Sequence, residues 1–223
     1  MFEDRKDAGE RLGRALEIYR NMNVLVLGIP RGGVETAYYV AKHLNAELSV
    51  VITRKLGYPT NPETAFGAVA EDGSVYISDT AKFDLSKEEI NEALRQQKEE
   101  IKRRIKKLRR GNPIPEITDR IVIIVDDGIA TGATLIATID LCKRRSPAKI
   151  IVAAPIAGES MRGILQEMVD EVVILETPPF YSAVSQGYKN FNNLSDEEAL
   201  SFIQTWENEH PAADLLQSKL KRL

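Results

Sequence analysis

Apolar positions follow two different periods along the chain. In residues 4–22, Ala8, Leu12, Ala15, Leu16 and Tyr19 fall on one side of a 3.6-residue repeat, which predicts a helix. Short, continuous apolar runs then recur at 24–27 (closed by Gly28), 48–53, 121–125, 149–154 and 171–175. Between them, residues 34–44, 131–145 and 159–168 carry helical patterns. Continuous apolar strands alternating with helices predict an α/β fold, a doubly wound parallel sheet of five strands covered on both faces.

Two stretches interrupt the alternation. Residues 54–65 hold Gly57, Pro59, Asn61 and Pro62 and read as a loop. Residues 66–78 read as a hairpin turning at Asp72-Gly73. Residues 86–110 read as a long helix closed by Gly111, Pro113 and Pro115. Further on, residues 177–193 are irregular and rich in aromatics, and Ser195-Asp196-Glu197-Glu198 caps a last helix running to Glu207. The charged tail after Pro211 reads as fraying. An insert of this size is too small to hold a good core alone. The expectation is therefore one domain over 1–223, decorated by an insert at 66–118 and a hood-like C-terminal segment at 177–223.

Composition narrows the function classes. The 223 residues are 43% hydrophobic and 28% charged, ordinary for a globular chain, with a net charge of −3 that gives no general attraction to nucleic acid or anionic lipid. The longest apolar run, 150–157, falls far short of the roughly 20 residues of a spanning helix. Cys142 is the only cysteine and His43 and His210 the only histidines, which excludes disulfides, Cys-based zinc sites and multi-His metal centres. The charged N-terminus has no signal-peptide core, so the chain reads as cytoplasmic, with no membrane partner.

The chemistry concentrates where the strand at 121–125 ends. Asp126 and Asp127 sit at its carboxyl end, followed by Gly128-Ile129-Ala130-Thr131-Gly132-Ala133-Thr134 opening a helix. Small side chains let the backbone approach a phosphate, the helix N-terminus supplies positive potential, and Thr131 and Thr134 add hydroxyls. Two adjacent carboxylates can accept from the neighbouring hydroxyls of a sugar. A phosphate beside a vicinal diol describes a ribose 5-phosphate. No Gly-Lys-Ser/Thr is present, so this is not a P-loop. A second loop, Gly28-Ile29-Pro30-Arg31-Gly32-Gly33, follows the first core strand, and Arg31 offers a fork to an oxyanion. A third, residues 53–63, opens with Thr53-Arg54-Lys55 beside it. In a flavodoxin-like order the first two loops meet at the switch point of the sheet.

Residues 121–135 resemble the 5-phosphoribosyl-1-pyrophosphate (PRPP) motif of type I phosphoribosyltransferases. The whole chain is similar to a bacterial and archaeal group of these whose substrate is unassigned, through Asp4-Arg5, Ala8-Gly9, Asn61-Pro62-Glu63 and residues 195–198. The resemblance implies that Asp126 and Asp127 bind ribose hydroxyls, directly or through Mg²⁺. It implies that Gly128, Ile129, Ala130, Thr131, Gly132, Ala133 and Thr134 hold the 5-phosphate side, and that Pro30, Arg31, Gly32 and Gly33 cradle pyrophosphate. Arg54 and Lys55 would start a mobile flap over it, with residues 55–64 poorly ordered without ligand. The implied reaction passes through an oxocarbenium-like state and needs no covalent nucleophile. Ala130 stands where hypoxanthine-guanine enzymes of the family carry an Asp, which argues against a 6-oxopurine acceptor.

Other readings stay open. One is a PRPP-sensing regulator without turnover, whose support is the run of basic residues from Lys102 to Arg110; another is an enzyme of a different sugar phosphate. The basic run also reads as a solvated helix face, helped by Glu99–Arg103 and Glu100–Arg104 pairs, and nucleic acid is not an expected partner. A homodimer is allowed for. Phe180, Tyr181, Tyr188 and Phe191 either stack on an acceptor or pin an irregular segment over the sheet, and Glu63 is a candidate flap acid. Because the two carboxylates at 126 and 127 repel each other, removing both is expected to leave the fold intact.

Overall fold

The computed structural model describes residues 1–211, without the side chain of Glu63, so the tail after Pro211 and the flap acid considered at 63 lie outside the described residues. The chain begins with α1 (Arg5–Ala15), whose first turn is capped by the Asp4 side chain accepting from the Asp7 amide. This helix is shorter than the 4–22 read from periodicity. Leu16 leaves helical dihedrals, a 3-10 turn (Glu17–Tyr19) follows, and Asn21 at φ 60° turns the chain. Next come β1 (Val24–Gly28), α2 (Gly32–Leu44) and β2 (Glu47–Val50). An antiparallel excursion follows: β3 (Thr53–Tyr58), β4 (Asn61–Ala70), β5 (Val75–Ile77), α3 (Asp79–Asp84) and the long α4 (Lys87–Arg109). The alternation resumes with β6 (Ile121–Val125), α5 (Ala133–Lys143), β7 (Lys149–Ile156), α6 (Glu159–Gln166) and β8 (Glu171–Glu176), and ends in α7 (Asp196–Glu209).

The main sheet is parallel throughout and ordered β2-β1-β6-β7-β8. Its central strand β6 is buried on both faces, as its β-branched run demands. Ile124 and Val122 meet Leu135, Ile139 and Leu165 on one side. Ile123 and Val125 meet Leu12, Val40 and Leu44 on the other. Each face is thus closed by helices from a different part of the chain.

Residues 54–65 are not the loop read from their glycine and prolines. They form an antiparallel ribbon, β3 on β4, within a second sheet ordered β3-β4-β5, so the excursion starts at Thr53 rather than at residue 66. Leu56 and Phe66, 0% and 1% exposed, bury one face of this ribbon, and that packing outweighs the turn chemistry. Gly57 and Pro59 sit at its irregular end, where the register shifts twice. The expected turn at Asp72-Gly73 is present, with Gly73 at φ 91° and the Asp72 side chain accepting from Ser74.

The basic half of α4 is a solvated face only in part: Lys102, Arg103, Lys106 and Arg110 are exposed, and the expected Glu100–Arg104 pair forms. Arg104 and Arg109 are buried. Arg103 and Arg104 reach Asp196, Lys107 reaches Glu197 and Arg110 reaches Glu207, all on α7. Glu100 bonds both Arg103 and Arg104, and the Arg103 bond first, then the Arg104 bond, holds its carboxyl down at about 2 against burial. Glu99 pairs with Lys102 rather than with Arg103. Among the described residues, no helix is long and apolar enough to cross a membrane.

Candidate active site

A cleft of about 1170 Å³ opens over the carboxyl ends of β1 and β6. Strand order reverses there, which is where open α/β sheets bind ligands. Its floor is Pro30, Arg31 and Gly32 from the β1–α2 turn, and residues 126–132 with Thr134 from the β6–α5 turn. Arg54, Lys55 and Tyr58 of the ribbon and Glu88, Glu92 and Gln96 of α4 form one wall; Val184 and Asn193 of the C-terminal segment form the other.

The helix ends explain what this floor attracts. Side chains of Asp4, Ser78, Ser86 and Ser195 cap α1, α3, α4 and α7. The two helices that start at the cleft, α2 after Arg31 and α5 after Gly132, have no side-chain cap. First-turn N–H groups lack intrahelical acceptors, so two uncapped N-termini present amides and positive potential to the same space. Gly132 takes φ 71°, a conformation that favours glycine, and a Cβ there would also require the flexible Met161 methyl, 2.2 Å away, to move. The Pro30–Arg31 peptide is cis.

The two carboxylates are not equivalent. Burial, followed by the charge of Asp127, pushes the Asp126 carboxyl well above the usual carboxylate range, opposed in part by the Asp127 amide and Lys55. Its Oδ1 accepts from the Asp127 amide at 2.9 Å. Asp127 instead turns to the side. Its Oδ2 accepts from Arg5 Nε at 2.7 Å, with the two side chains 13% and 6% exposed, and its carbonyl accepts from the Tyr188 hydroxyl. Burial, then the charge of Asp127, raises Tyr188 and keeps it a donor.

Arg54 and Lys55 separate along their strand, as alternation requires. Lys55 is exposed and within electrostatic reach of Asp126. Arg54 is half-buried and donates from Nε to Gln97 of α4 at 3.0 Å; burial first, then the charge of Arg104, lowers its guanidinium. Of the other residues read from sequence, Thr131 stands exposed at the mouth, and Gly128, Ile129 and Ala130 line the cleft. Ala133 lies behind it, 4% exposed in the core with Ile129 and Met161, and Gly33 backs Asp126.

Arg5 is the site residue that sequence reasoning misses. Asp4-Arg5 enters the sequence reading only as part of the family resemblance, with no role assigned, and Arg5 is separated from Asp127 by 122 positions. Gly32 shows how tightly the pair is held. A Cβ at Gly32 would fall 1.8 Å from Asp127 Oδ2 and 2.8 Å from Arg5 Nε. Gly32→Ala is expected to break this ion pair and to lower anion affinity of the cleft at least tenfold, read by calorimetry with pyrophosphate; unchanged affinity would show that the loop tolerates the methyl.

Residues 6–184 match the model of the phosphoribosyl transferase domain. Two Mycobacterium tuberculosis proteins, from strains CDC 1551 and H37Rv, are named provisionally as phosphoribosyl transferases. Each is 42% identical over 205 residues, covering 91% of this chain and 46% of their own length. The chain thus spans about half the length of these curated relatives. A solved structure from Thermus thermophilus superposes with a TM-score of 0.77 at 35% identity, covering 92% of this chain and 98% of that one. The family match runs over most of the chain, on a fold whose five-stranded parallel sheet opens a cleft at its switch point; this chain belongs to the phosphoribosyl transferase domain family.

Proposed function

We propose that this chain transfers ribose 5-phosphate from PRPP to a nitrogenous, nucleobase-like acceptor and releases pyrophosphate. The observation that carries this reading is the convergence of two uncapped helix N-termini and an adjacent acid pair on one cleft. The acceptor nitrogen bonds to C1 of the ribose as the bond from C1 to the pyrophosphate oxygen breaks, and its electron pair leaves with pyrophosphate. Amides at the start of α5, with Thr131 and Thr134, hold the 5-phosphate. Arg31, Lys55 and the start of α2 receive pyrophosphate, whose growing charge they stabilise without reorganising. Asp126 and Asp127 hold the ribose hydroxyls and fix C1 against the acceptor.

The donor set fits Mg²⁺. Asp126 and Asp127 offer hard carboxylate oxygens, and no cluster of three metal-ligating side chains exists among the described residues. Mg²⁺ accepts such a site because it keeps several waters and takes substrate oxygens. When bound, it neutralises pyrophosphate charge. Pairing of Arg103, Lys107 and Arg110 with α7 gives part of the basic run a structural role, which favours the transferase over the sensor.

Release of pyrophosphate from PRPP and Mg²⁺ across a panel of nucleobases tests the reading; PRPP binding with no turnover on any base would return the sensor. Ala130 on the cleft floor has no proton to exchange with a ring nitrogen. Hypoxanthine and guanine are therefore expected to react about 10²- to 10⁴-fold more slowly than the preferred acceptor. A kcat/KM near 10⁴ M⁻¹s⁻¹ or above for either base would show that Ala130 does not discriminate.

A further inference from the structure

We infer that Arg5 is a positioning residue, tying the ribose-binding carboxylate Asp127 to the C-terminal segment that walls the acceptor side of the cleft. The inference rests on the transferase reading and deepens it.

Arg5 opens α1 and is 5% exposed, although it carries a full charge. Three partners hold it. Nε donates to Asp127 Oδ2 at 2.7 Å, and Nη1 donates to the Asn192 carbonyl at 2.7 Å. The guanidinium lies 4.0 Å from the centre of the Phe191 ring. Phe191 in turn packs on Tyr188 at 5.1 Å between ring centroids, and the Tyr188 hydroxyl donates to the Asp127 carbonyl. The contacts close a circuit. Asp127 is gripped through its side chain by Arg5 and through its backbone by Tyr188, and both grips end on residues 188–192. The next residue, Asn193, lines the cleft, as does Val184 before the segment.

The chemistry asks for such a group. Two adjacent carboxylates under one ligand repel, and a fixed guanidinium offsets the second charge while setting its direction. A planar fork serves the carboxylate and the Asn192 carbonyl from two nitrogens held in one plane; an ammonium keeps the charge but must reach both acceptors from a single nitrogen on a flexible stem, which holds their relative direction less firmly. Filling the ribose side of the cleft should therefore order residues 188–193 through Arg5.

The test uses the whole chain with PRPP and Mg²⁺, read by calorimetry and by amide hydrogen exchange. Arg5→Gln is expected to weaken PRPP binding at least tenfold. Arg5→Lys is expected to restore affinity to within about threefold of wild type, yet to lose the PRPP-induced protection at residues 188–193. A residue that merely packs α1 would not separate these two readouts. Wild-type affinity in Arg5→Gln, or full ligand-induced protection in Arg5→Lys, would overturn the inference. If Arg5→Gln does not fold, Arg5→Lys decides alone through the exchange readout. A wild-type chain that binds no PRPP overturns the transferase reading and this one with it; wild-type binding that ignores Arg5 overturns only this one.

Discussion

Asp127→Asn should lower the melting temperature while Asp126→Asn raises it, although the two residues are adjacent. Removing one partner of a buried ion pair costs about 3–5 kcal/mol. The amide introduced at position 127 keeps an oxygen for Arg5, so about 2–3 kcal/mol is expected, or roughly 5–10 °C for a chain of this length. The argument from repulsion for removing both carboxylates leaves out Arg5, which pairs with Asp127 and makes a cost at that position the expected result. Asp126 has the opposite sign. Its folded carboxyl is raised by burial and by Asp127, so the folded state binds the proton more tightly than the unfolded state. Stability from this group is fully present below the ordinary carboxylate range and is lost as pH rises through the folded value. The advantage of Asp126→Asn over wild type should therefore be seen at pH 7 and vanish toward pH 4, in thermal unfolding followed by circular dichroism. Equal destabilisation by the two variants at pH 7 would contradict the division of roles.

Glu71→Ala is expected to have the largest effect on stability, about 3–5 kcal/mol, or roughly 6–20 °C. Glu71 and Arg109 pair with side chains 6% exposed each. The Ile52 amide donates to Glu71 Oε1 at 2.9 Å, and Arg109 Nη1 donates to the Val50 carbonyl at 3.1 Å. The pair thus satisfies the backbone where β2 hands over to the ribbon and α4 comes down on both. Replacing both residues by Met should recover only part of the loss, since these backbone groups would still lack partners. Because this anchor also carries the ribbon that brings Lys55 to the cleft, pyrophosphate affinity should fall together with stability. A loss under 1 kcal/mol in a double-mutant cycle would show that the pair is not the anchor.

The parts of the site that are contiguous in sequence were legible. Residues 121–134 state a buried strand, an acid pair and a helix opened by small residues in one stretch, and the structure has a strand at 121–125 and a helix from Ala133; that this helix start lacks a side-chain cap came only from the structure. The ribbon was not legible, because its glycine and prolines are ordinary turn signals, and only the burial of Leu56 against Phe66 shows that they sit at the frayed end of paired strands. Arg104 and Arg109 looked solvated because Asp196 on α7 and Glu71, which also face them, lie far away in sequence, whereas Glu100, the close partner of Arg104, is four residues off on the same helix. Arg5 was visible only as part of the Asp4-Arg5 resemblance and had no legible role, since its meaning depends on a carboxylate and a carbonyl brought to it only by the finished fold.

The missing helix caps have a consequence for the empty protein. A serine, threonine or aspartate at a helix start contributes about 1 kcal/mol, and this chain uses such residues freely where α1, α3, α4 and α7 begin. At α2 and α5, as at α6 outside the cleft, it forgoes them. On the transferase reading, the oxyanions of PRPP would complete the two helices at the cleft, as a keystone completes an arch. Part of the fold's own cohesion would then be held by the substrate, since at a concentration one hundred times its dissociation constant a ligand adds about 2.7 kcal/mol. Depletion of PRPP would leave the chain with a looser floor under its own cleft, so that the supply of the sugar phosphate would set how long the protein survives as well as how fast it works.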